Sequence, residues 1–104
     1  MISDVILTRE KVVELDNGNV KHALKNNSLG FKGFGEAYFS EIRFGAVKAW
    51  KKHTKMTMNL LVPFGKVHIT VYDNRGITKN FGEYILSDSE YYRLTIPPNL
   101  WFGF

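Results

Sequence analysis

The chain contains no cysteine. That excludes a disulfide framework and any thiolate metal site, and it suits a reducing compartment. Long apolar runs are also missing: none approaches the roughly 18–20 residues that cross a bilayer. The first eleven residues mix Asp4, Arg9 and Glu10 with apolar side chains, which is not the pattern of a secretory signal. Residence in the cytoplasm, away from membranes, is the expectation. Helical periodicity is scarce, and its best window, 20–25, is too short to stand alone. No phosphate-binding loop, dinucleotide glycine fingerprint or nucleophile elbow occurs.

What is present is an ordinary globular composition, 44% hydrophobic and 23% charged over 104 residues. Such a chain forms one domain with a real core and little stability to spare. Its net charge is +4, and lysines cluster at Lys21 and Lys25 and again at Lys48, Lys51, Lys52 and Lys55. Either this is a solvated basic face, or it meets an anion such as a phosphorylated small molecule or a nucleic acid.

Strand signals dominate. Residues 5–15 read as a strand closed by the turn Asp16-Asn17-Gly18, and 26–35 as a glycine-rich loop. Residues 36–44 read as a long strand with Tyr38, Ser40, Ile42 and Phe44 on one face. After Gly45 come strands over 47–53 and 56–62, the latter stopped by Pro63-Phe64-Gly65. Residues 67–72 alternate cleanly, with Val67, Ile69 and Val71 opposite His68, Thr70 and Tyr72. A turn at 73–76, strands over 82–86 and 91–96, and the corner Pro97-Pro98-Asn99 follow. The expected fold is therefore all-β, an antiparallel sandwich or barrel. The single domain spans 1–104, with 1–35 an N-terminal strand and loop arm and 36–104 the barrel strands. Four of the last five residues, Leu100 to Phe104, are large and apolar. An apolar strand of that kind needs cover, from a partner subunit or from further chain that longer relatives carry. A homodimer through sheet edges is the expectation.

Two resemblances compete. Lys32-Gly33-Phe34-Gly35-Glu36-Ala37-Tyr38-Phe39 resembles the RNA-recognition signature, in which sheet aromatics stack on bases. Glu36 stands where an aromatic belongs, and the helices of that fold are absent. A single-stranded nucleic-acid binder is therefore the lesser alternative.

The second resemblance covers residues 45–104, the part that reads as the wall of a small-molecule pocket. The first cupin motif, G-x5-H-x-H-x3–4-E-x6-G, laid on Gly45, puts Lys51 and His53 at its histidines, Met58 at its glutamate and Gly65 at its last glycine. Pro97, Asn99 and Phe102 fall at the proline, glycine and histidine of the second motif. Within the cupins the chain resembles the dTDP-4-dehydrorhamnose 3,5-epimerase group and related nucleotide-sugar isomerases. Lys48-Ala49-Trp50-Lys51 stands at the R-G-x-H of that group. Thr70-Val71-Tyr72-Asp73-Asn74-Arg75 stands at its V-x-V-D-x-R strand, and residues 96–104 at I-P-P-G-x-x-H-G-F.

The resemblance implies a cupin jelly roll, incomplete at its C-terminal side. It implies a metal-independent epimerase or isomerase of dTDP-4-keto-6-deoxysugars in cell-surface polysaccharide synthesis, with no cofactor. Of the four metal-ligand positions only His53 keeps a donor suited to the ion. The usual catalytic histidine is Lys51 here, and the tyrosine and aspartate of the family fall past Phe104. Lys51 is a candidate base if desolvation favours a neutral amine. His53, two residues on and on the same face, is the other. Lys48 stands where the family's arginine meets the diphosphate, with Arg43 nearby; Met58 and Phe102 line the pocket. The alternative on the same fold is a catalytically silent sugar-nucleotide binding or partner module.

Overall fold

The computed structural model describes residues 2–104, and it is built from nine short strands with no helix among them. Three strands form one sheet in the order β1 (Ile6–Arg9), β8 (Tyr92–Ile96), β5 (Met58–Leu61). Four form a second sheet in the order β4 (Lys51–Lys52), β9 (Trp101–Gly103), β6 (Lys66–Asp73), β7 (Asn80–Ser87). A small ribbon joins β2 (Val12–Val13) to β3 (Val20–Lys21), and every pairing is antiparallel. The all-β antiparallel expectation holds.

The alternation read along residues 67–72 sets the core. Ile69 and Val71 of β6 and Leu86 of β7 face inward, against Leu94 and Ile96 of β8. Leu100, Phe102 and Ile2 complete the cluster. The other face of β6, carrying His68, Thr70 and Tyr72, is the outer one. There Tyr72 stacks on Phe81 with ring centroids 4.5 Å apart, and the Lys52 ammonium lies 4.9 Å from the Trp101 ring.

β8 is central in its sheet and buried on both faces. Its second face carries Arg93 and Thr95, both buried. Arg93 is held by Glu10 (Nε to Oε2, 2.7 Å), by Asn59 Oδ1 and by Thr95 Oγ1. Asn59 in turn donates to the Gly30 carbonyl at 3.3 Å. A charge out of water requires such partners. On the other sheet Arg75 grips Asp73 and Asp4 together, tying the N-terminal segment to the β6–β7 turn.

Four sequence expectations are corrected. The strand read over 5–15 is two strands, broken where Glu10 turns in to meet Arg93. The brief helical window at 20–25 starts as β3, because Val20 and Lys21 pair with β2. Residues 36–44 form no strand: none of the described residues pairs with them. The strand read over 47–53 is limited to Lys51–Lys52; Lys48 still pairs with Phe104, and Ala49 and Trp50 together face the single residue Gly103 as a bulge. The apolar end at 100–104 is likewise not left bare. β9 sits between β4 and β6, with Leu100 and Phe102 in the core.

Candidate functional site

The register of the four-stranded sheet decides which side chains meet. Lys51 of β4 lies opposite Phe102 of β9, which lies opposite Val71 of β6. Directly opposed residues share a face, so Lys51 is on the inner face, at the β4 edge, where it is exposed. His53 lies two residues on. Its ring sits 5.6 Å from that of Phe102, tilted by 31°. Its backbone carbonyl accepts the Asn99 N–H at 2.7 Å. Asn99 makes this contact from a left-handed conformation, φ 72°, at the corner after Pro98. The corner therefore fixes the histidine backbone, and Phe102 fixes its ring. His53 Nε2 is buried and has no hydrogen-bond partner among the described residues. A buried polar atom without a partner is rare and calls for a chemical reason.

Met58 reaches the same core from the opposing sheet, opposite Ile96 in β5–β8 pairing. Lys48 and Arg43 lie apart from this group. Two backbone hydrogen bonds pair Lys48 with Phe104, and its ammonium caps the Glu41 carbonyl, with Ser40 Oγ at 3.4 Å. Arg43 is exposed on the segment leading back to β4. It lines an open cleft of about 850 Å³ between residues 40–50 and the β5–β6 connection, together with Phe44, Val47, Leu61, Val62 and Phe64. A second open cleft, of about 740 Å³, lies by the β2–β3 ribbon. There the Lys21 ammonium donates to the Pro63 carbonyl at 2.6 Å, flanked by the rings of Phe64 and Tyr91. Burial, then Glu10, raises the Tyr91 phenol above its ordinary value; burial, then Asp4, does the same for Tyr84.

Among the described residues, no group of three His, Cys, Asp or Glu side chains is gathered as a metal site. No helix there is long and apolar enough to cross a membrane. The segment Lys32 to Phe39 belongs to no sheet, so the stacking platform of an RNA-recognition motif is missing. The Arg93 network was invisible in the sequence. Tyr92-Arg93-Leu94-Thr95-Ile96 alternates as a half-exposed strand does, and only the loop folded over it buries the polar half.

These features define a class: an all-β protein of two antiparallel sheets with a histidine and a lysine side by side at the inner edge of one. No protein-family model matches the chain, and no curated protein matches it. Among solved structures, a dTDP sugar isomerase from Desulfovibrio desulfuricans G20 is similar to it, with 35% identity and a TM-score of 0.92. The match covers 98% of this chain and 68% of that one. The chain belongs to the dTDP sugar isomerase family.

Proposed function

We propose that this protein is a cupin-type epimerase or isomerase of a nucleotide-linked sugar, of the dTDP-4-keto-6-deoxysugar class. The observation that carries the proposal is the likeness to a dTDP sugar isomerase along nearly the whole chain. The unpartnered Nε2 of His53 beside Phe102 supports it. Carbons next to a ketone hold weakly acidic protons. His53 Nε2 takes one of these, and the electron pair moves onto the ketone oxygen as an enolate. Lys51, on the same inner face, supplies positive charge to that oxygen. A water molecule on the opposite face then donates a proton to that carbon and inverts it, and the hydroxide left is neutralised by the proton His53 took up. Lys48 and Arg43 serve the diphosphate, Lys48 as a point charge and Arg43 as a planar fork. Met58 and Phe102 give the sugar an apolar wall. The proton transfer needs no cofactor or metal in this scheme, and the role is cytoplasmic, in cell-surface polysaccharide synthesis.

The test is proton exchange at carbons 3 and 5 of a dTDP-4-keto-6-deoxysugar in deuterated water, followed by NMR. Deuterium enters with the wild type, and exchange falls at least about a hundredfold in His53→Ala, in the range of a lost general base. Exchange unchanged in both His53→Ala and Lys51→Ala removes them from the role of base. Lys51 at the position of the family's histidine favours a second reading, a binding module without turnover. Its signature is intact binding of the nucleotide sugar with no exchange at all.

A further inference from the structure

We infer that the cleft beside the β2–β3 ribbon is a binding site for the phosphoryl group of a small-molecule phosphate monoester. The inference does not rest on the isomerase reading, and the cleft shares no residue with the group at Lys51, His53 and Phe102. Backbone pairing builds it. The Glu10 N–H donates to the Tyr91 carbonyl at 3.1 Å, and the His22 N–H donates to the Lys11 carbonyl at 2.9 Å. These two bonds bring the β1–β2 junction, the end of β3 and the start of β8 to one place. Arg9, Lys11, Lys21 and Tyr91 therefore line a single cleft of about 740 Å³.

Three observations point to an anion there. The first is Tyr91, of which only 6% is exposed. Its hydroxyl makes no hydrogen bond to a described residue, yet it is not sealed in as Thr8 Oγ1 and His53 Nε2 are. The hydroxyl therefore opens on the cleft that the residue lines, a donor without an acceptor. Burial, with Glu10 nearby, keeps it protonated. The second is charge. None of Arg9, Lys11 and Lys21 forms an ion pair with a described carboxylate. Of the carboxylates on the cleft, Glu10 is taken by Arg93 and Asp88 accepts the Gly65 N–H. Glu14 alone is left against three cations. The third is preorganisation. The Lys21 ammonium is already held by the Pro63 carbonyl and lies over the rings of Phe64 and Tyr91. An ammonium has three hydrogens to donate, so two remain for a ligand. A cation fixed in advance loses little freedom on binding.

A phosphate monoester suits this set better than a carboxylate does. It carries about −1.5 to −2 charge at pH 7 and three acceptor oxygens, where a carboxylate has one charge and two oxygens. Three cations and a phenol match the former. The esterified part has the Phe64 ring to lie on, which is 85% exposed and lines the same cleft. The cleft is also large enough for it, since small-molecule sites run to about 300–1,000 Å³.

An NMR titration of the isotope-labelled chain with glucose 1-phosphate tests this, with inorganic phosphate and glucose as controls. Glucose 1-phosphate shifts the amides of residues 9–12, 19–21 and 88–91. Inorganic phosphate shifts the same amides with lower affinity, and glucose shifts none of them. Tyr91→Phe weakens glucose 1-phosphate at least about tenfold, the scale of one hydrogen bond to a charged group. The hydroxyl has no partner among the described residues, so this variant keeps the fold. Lys11→Met, at an exposed side chain, weakens binding in the same direction. Lys48→Met does not, which separates this cleft from the diphosphate contacts proposed above. No shift at those amides with glucose 1-phosphate overturns the inference. So does binding that Tyr91→Phe and Lys11→Met leave unchanged, binding that Lys48→Met abolishes, or either control bound as tightly as glucose 1-phosphate.

Discussion

Arg93 is fully buried, and its guanidinium is spent on Glu10, Asn59 and Thr95. Removing one partner of a buried ion pair costs about 3–5 kcal/mol, because the other charge is left without compensation. Arg93→Ala is expected to lose that much in urea unfolding, and Arg93→Ala with Glu10→Gln to recover part of it. Arg75 behaves differently, since it is partly exposed. Its hydrogen bonds hold the Asp4 and Asp73 carboxyls below their ordinary range. Groups whose folded values are depressed stabilise the fold above the unfolded value of about 3.9, and that stabilisation is lost as pH falls through the folded values. The thermal midpoint is therefore expected to drop as pH is lowered from about 5 toward 2. Arg75→Met flattens that part of the profile, as circular dichroism melts at each pH would show.

At the scale of elements, the informative pair is β4 and β9. Gly103 lies against the bulge at Ala49 and Trp50, and a Cβ there would stand 2.7 Å from the Ala49 Cβ and 3.3 Å from its Cα. One of those atoms is backbone, so the strands must move apart. Gly103→Ala is expected to cost on the order of 1–3 kcal/mol, the range of overpacking, measured by urea unfolding. The sequence located β6 and β7 well because period-2 alternation reports directly on a strand with one buried face. It failed at residues 36–44 because alternation reports the capacity to pair, not the presence of a neighbour. It failed at 100–104 for the converse reason: β4, the neighbour on one side, is only two residues long and offers no pattern to read. At the candidate site the pairing of His53 with Lys51 followed from their spacing. The contact with Phe102 and the grip of Asn99 on the histidine carbonyl depended on the corner at Pro97-Pro98, whose path no local pattern gives.

The whole molecule is less round than its length implies. Its radius of gyration is 14.3 Å, against about 13 Å for a globule of this size. The excess fits residues 31–47, whose large side chains stand exposed, beside two sheets that share one core. The same core serves both sheets, so damage to β8 reaches the face that carries His53 through Leu94, Ile96 and Phe102. The pairing of β1 with β8 joins residues from nearly opposite ends of the chain, Ile6 with Thr95 and Arg9 with Tyr92. Such a ladder cannot form early. Its closure entropy falls due before most of its contacts exist, which places the chain among slow-folding topologies on the millisecond-to-second scale. For that interval β8 lacks its first neighbour and Arg93 lacks Glu10, so substitutions within the first ten residues govern how fast the protein is made as much as how stable it is once made.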